Sequence, residues 1–210
     1  MRPQHASPRG DAMGLLHRGT LLLACLLVAV KAYYLGPPAA WSSAGRYVRA
    51  LTATSSLDVA FAVVLWAAGV AAVLGTWRTP RLRRVVLAVF LAAAACAALY
   101  AVASVVMFGI FGGFLTYSLL SIVGDVRMLR SSVALHLTPG VVAGLVLLPT
   151  AYVAAVLASR RLALARVPAI AGRLASLALL VGWVVAGQYA YARDWATRQD
   201  RRIAENAHWV

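Results

Sequence analysis

Apolar positions in this chain run in blocks of about 18 residues or more, long enough as helix to cross a hydrocarbon core of about 30 Å. The first block covers 19–35 and stops at Gly36-Pro37-Pro38, where proline ends a helix. Further blocks cover 57–77, 85–108, 137–158 and 169–191. Ser55, followed three residues later by Asp58, has the pattern of a capping box and predicts a helix start just before the second block. The pattern predicts an all-α polytopic membrane bundle of five helices. Residues 1–18 form a polar cytoplasmic segment, and the first block stays as an anchor because no small-residue cleavage site follows it.

The stretch from Val85 to Gly124 carries no charge and is long enough for two crossings, which makes six spans the alternative. A single crossing ending near Phe108 leaves Phe108-Gly109-Ile110-Phe111-Gly112-Gly113-Phe114 as a re-entrant or interfacial segment. Such backbone survives at membrane depth only under a cover of protein or water. With five spans and the N-terminus inside, the inner side holds eleven Arg. They are Arg2, Arg9, Arg18, Arg78, Arg81, Arg83, Arg84, Arg160, Arg161, Arg166 and Arg173. The outer side holds Lys31, Arg46, Arg49, Arg127 and Arg130, plus the Arg residues of the tail. Six spans bring Arg127, Arg130 and the tail inside and put Arg160, Arg161, Arg166 and Arg173 outside, for an inner count of thirteen. Charges leading into a translocated segment weigh little in this rule, so the count leaves both topologies open.

Composition agrees with the pattern: 62% of the 210 residues are hydrophobic and 12% charged, against about 25% charged in a soluble domain. The net charge of +14 sits at the ends of apolar blocks, where Arg anchors helices and meets anionic headgroups, so it calls for no nucleic acid. Cys25 and Cys96 lie inside apolar blocks without metal-ligand spacing and read as small buried hydrophobes.

Several stretches together resemble the N-terminal membrane domain of the lipoteichoic acid synthase family of sulfatase-like phosphoglycerol transferases. Lys31-Ala32-Tyr33-Tyr34 closes the first span like the family's Lys-x-Tyr. Leu99-Tyr100-Ala101, Val105-Val106-Met107-Phe108, Phe111 and Phe114-Leu115-Thr116 are similar to its aromatic run closing on Asp-Phe-Leu-Thr. Gly124-Asp125-Val126 stands where the family has Gly-Asn-Val. At Gly109 and Gly113 the chain departs from the family, which tends to carry Arg and Asp there. The resemblance covers most of the chain. It implies five spans in the cytoplasmic (inner) membrane, with residues 192–210 as an extracytoplasmic linker helix to a catalytic domain absent from this chain. The partner would be an anionic phospholipid, with phosphatidylglycerol as donor, and the catalytic domain would be downstream or separately encoded. A divalent metal is implied only for that absent domain; no cofactor is expected in this chain. The other expectation is a free-standing, non-enzymatic scaffold or small transporter subunit.

No catalytic residue is legible, since neither a nucleophile elbow nor a phosphate-binding Gly loop nor a metal cluster can be drawn. Lipid-headgroup candidates are Lys31, Tyr33, Asp125 and Arg127. An intramembrane Lys is a functional candidate by default, yet one near a helix end also snorkels to the interface, beside Tyr33 and Tyr34 in an aromatic belt. Asp125 and Arg127 suit a groove rim or a solvated loop with a weak ion pair. Gly140 and Gly144 form a small-xxx-small step that predicts close helix packing.

Overall fold

In the structure, a computed structural model, residues 8–38, 43–76, 78–111, 138–159 and 169–195 are described. They form five helices and no strand: α1 (Pro8–Leu35), α2 (Ala44–Gly75), α3 (Pro80–Phe111), α4 (Pro139–Ala158) and α5 (Ala169–Asp194). All five contain stretches long and apolar enough to cross a membrane, and the chain is a multi-pass membrane protein. Asp125, Arg127 and the expected linker beyond Trp195 lie outside the described residues.

Local chemistry explains the helix ends. Proline opens α1, α3 and α4, where its missing N–H costs nothing and its fixed φ suits the first turn. Thr138 caps α4, its hydroxyl oxygen accepting from Val141 N at 3.4 Å. Gly36, at φ +71°, ends α1 in a conformation that a side chain would strain.

Two helices depart from the sequence pattern. Ser55 and Asp58 do not start α2. The helix begins at Ala44, and Ser55 and Asp58 are buried in its middle. The Ser55 hydroxyl donates to its own helix, at Leu51 O (2.6 Å), so the residues that imitate a cap are satisfied within a continuous helix. Likewise α3 runs through Phe108 and Gly109 to Phe111, because one glycine weakens a helix without breaking it.

α1 is the central element and packs on α2, α3 and α4, while α2 packs most extensively on α5. Leu15, Leu16, Leu23 and Leu27 of α1 meet Val59 and Ala62 of α2, Phe90 of α3, and Tyr152 and Val156 of α4. On α3 the inward stripe is Ala94, Ala97, Ala98 and Ala101, one helical face of small residues that lets backbones approach. Lipid tails are as apolar as leucine, so close packing and interhelical hydrogen bonds hold such a bundle more than burial does. The Tyr152 hydroxyl donates to Gly19 O at 3.0 Å and ties α4 to α1.

Cys25 and Cys96 are free and exposed on the bundle surface, where a membrane protein meets lipid; hydrophobicity alone does not distinguish that face from the core. Gly144 meets no described atom within 4 Å, so the expected close packing of the Gly140–Gly144 step is not made among the described residues.

Charge sorts the bundle into two ends. Arg18, Arg78, Arg81, Arg83, Arg84 and Arg173 lie at the end holding the starts of α1, α3 and α5. The opposite end holds Lys31, Arg46, Arg49 and Arg193 together with Asp58 and Asp194. α2, at 32 residues, is about 48 Å of helix and outruns the hydrocarbon core. Its polar first half therefore reaches the interface alongside the last turns of α5. There Arg49 pairs with Asp194 at 2.7 Å, and Trp195 packs on Ala53 and Ala190.

Candidate functional site: a buried ion pair between the first two helices

Lys31 sits about one turn before the end of α1, and Asp58 lies midway along α2. The two helices run antiparallel, which brings these residues to the same depth. Lys31 Nζ lies 3.5 Å from Asp58 Oδ2, with the side chains only 4% and 6% exposed. Lys31 therefore does not snorkel; its ammonium turns into the bundle toward the Asp58 carboxylate. Snorkelling assumes that water is the nearest stabilising partner, and here a carboxylate is closer.

Further buried hydroxyls lie on α1, α2 and α3 in the same half of the bundle. Thr54, Ser55 and Ser56 occupy one fully buried turn of α2. Thr54 donates to Ala50 O at 3.0 Å and Ser56 to Ala53 O at 3.2 Å. The oxygens of Ser55 and Ser56 also accept from α5: Trp183 Nε1 donates to Ser55 Oγ at 3.0 Å, and Gln188 Nε2 donates to Ser56 Oγ at 2.9 Å. Gly187 permits this approach, because a Cβ there would stand 2.6 Å from Ser56 Cβ. From α3, Ser104 is buried and donates to Ala101 O at 2.7 Å. Tyr34 of α1 interacts with Ser104 and lies within the field of Asp58. Tyr47 of α2 donates to Ala32 O at 3.4 Å, next to the lysine.

Burying two charges costs several kcal/mol each, recovered only through mutual attraction and further hydrogen bonds. Here Asp58 Oδ2 is enclosed and accepts no hydrogen bond among the described residues, so the ammonium is its main compensation. The arrangement keeps a positive and a negative group together at one depth, buried away from solvent.

The four headgroup candidates therefore part company. Lys31 enters the core, whereas Tyr33 is 73% exposed on the surface beside it. The positions of Asp125 and Arg127 fall outside the described residues. Reading the sequence as a cap missed Asp58. A signal was present: a lone acid and a lone base, each at the outer edge of adjacent apolar blocks, are natural partners in an antiparallel pair.

Among the described residues, no group of three or more His, Cys, Asp or Glu side chains could hold a metal ion. Neither a protein-family model, nor a curated protein, nor a solved structure matches this chain.

Proposed function

We propose that this chain is the membrane-anchoring and lipid-donor-presenting domain of a sulfatase-like phosphoglycerol transferase, working in the cytoplasmic membrane with an extracytoplasmic catalytic domain. The supporting observation is the buried Lys31–Asp58 pair between α1 and α2, with the adjoining turn of α2 tied to α5 through Trp183–Ser55 and Gln188–Ser56. Intramembrane charges are expensive and mark functional positions. An inert anchor has no need of one. In this reading the buried pair sets the geometry of the outer end, and the exposed Tyr33 and the segment carrying Asp125 and Arg127 meet the phosphatidylglycerol headgroup.

The test is photocrosslinking in nanodiscs with headgroup-labelled phosphatidylglycerol and phosphatidylcholine probes. Enrichment of the phosphatidylglycerol label on peptides around Tyr33 and Asp125 is expected, falling in Asp58→Asn. Equal labelling by both probes would discard the lipid-donor role.

The same pair also suits a small transporter subunit, because opposed intramembrane charges line ion and proton pathways. Proteoliposomes with an internal pH dye separate the readings: proton flux that Asp58→Asn abolishes selects transport.

A further inference from the structure

We infer that the basic end of the bundle holds a phosphate-binding site, formed by Arg18 and Arg173 over Gly14, with His17 and Ser176 at its edge. Arg18 comes from α1 and Arg173 from α5, yet both guanidinium groups turn to one spot. The Nη2 atoms of Arg18 and Arg173 each lie 3.5 Å from the place a Cβ on Gly14 would occupy. The two are thus within twice that distance of each other, with no side chain beneath them. His17 lies within electrostatic reach of both arginines, and its Nε2 is 2.7 Å from Ser176 Oγ.

Each guanidinium carries five N–H donors. Among the described residues Arg18 gives one hydrogen bond, from Nη1 to Ser159 O at 3.1 Å, and Arg173 gives one, from Nη2 to Gly10 O at 3.3 Å. Arg18 Nε is enclosed and donates to none of the described residues. Asp11 is the acid that the described residues place at this end; it is exposed and forms no ion pair with either arginine.

A topological preference for arginine on the cytoplasmic side places such residues at this end but does not aim two of them at one glycine, where like charges repel. An anion between them removes that cost. Phosphate fits best: its oxygens accept charge-assisted bonds at about 2.7–2.9 Å, and Arg presents a planar fork suited to them. The depth agrees, because Arg18 directly precedes the apolar block that opens at Gly19. A phosphate there belongs either to an inner-leaflet lipid or to a soluble molecule.

The experiment uses the full chain in phosphatidylcholine nanodiscs. One arm adds phosphatidic acid and counts retained lipid by native mass spectrometry; the other titrates inorganic phosphate calorimetrically. Arg173→Gln removes donors. Gly14→Asp keeps both arginines but seats a carboxylate between them, so it empties the site without breaking either tie. Binding in at least one arm is expected, weakened roughly tenfold or more in both variants, and retained in Gly14→Ala, whose Cβ makes ordinary contacts. Loss confined to the lipid arm identifies the lipid as source, and loss in the phosphate arm identifies a soluble phosphate. No binding in either arm, or binding that Arg173→Gln and Gly14→Asp leave unchanged, overturns the inference.

Discussion

At one end of the bundle Lys31 and Asp58 bury opposite charges against each other, while at the other end Arg18 and Arg173 turn like charges toward one glycine. The first arrangement is closed: α2 and α5 are joined side chain to side chain, through Trp183–Ser55 and Gln188–Ser56. The second has one side-chain bond between helices, His17–Ser176, otherwise leans on backbone carbonyls at Gly10, Ser159 and Gly19, and keeps donors in reserve. Compensated charge specifies how helices fit together, whereas uncompensated charge leaves an attraction for something outside the chain.

The largest expected effect tests the closed end. Asp58→Ala strands an ammonium in the core and should cost about 3–5 kcal/mol in detergent unfolding, the usual penalty for breaking a buried pair from one side. The double change Lys31→Met with Asp58→Leu should recover most of that loss. If it instead falls as far as the single variant, mutual compensation is the wrong account of this core.

Gly187→Ala comes next. Its Cβ meets Ser56 Cβ at 2.6 Å and the Thr52 carbonyl carbon at 2.9 Å, so α2 and α5 must separate, at about 1–3 kcal/mol. A cysteine crosslinking series along the α2–α5 seam should show the register loosening; unchanged crosslinking and stability would mean the seam is slack.

Trp183→Phe keeps an aromatic ring but removes the pyrrole part of the indole with the N–H that Ser55 accepts; the lost bond should cost about 0.6 kcal/mol, typical of hydrogen bonds between membrane helices, and any excess over that reads out lost packing. Thermal unfolding beside the Asp58 variants measures it, and a loss as large as theirs would show Trp183 acting through packing.

The smallest effect belongs to Arg49–Asp194, whose side chains are 42% and 39% exposed. Asp194→Asn should change stability by about 0–1 kcal/mol, and added salt should erase the difference. A salt-independent loss would move this pair into the category of Lys31 and Asp58.

The class of fold is legible in the sequence alone, because crossing a bilayer is a local demand: enough consecutive apolar residues, proline where a helix can start, and arginine at the ends. The sequence also shows the isolation of Lys31, but not which way the side chain turns, since snorkelling and burial demand the same residue near a helix end. Ser55 and Asp58 read locally as a helix start; only the continuation of α2 back to Ala44 turns them into the polar core. Neither the match of Lys31 with Asp58 nor the convergence of Arg18 and Arg173 is written in any window of the chain. Each joins residues from different helices, and their meeting depends on how packed helices, antiparallel in the first case and parallel in the second, align in depth and rotation. The packing of small residues such as Gly187 and the α3 alanines sets that alignment, because in lipid it is close approach, more than hydrophobicity, that tells one helix face from another.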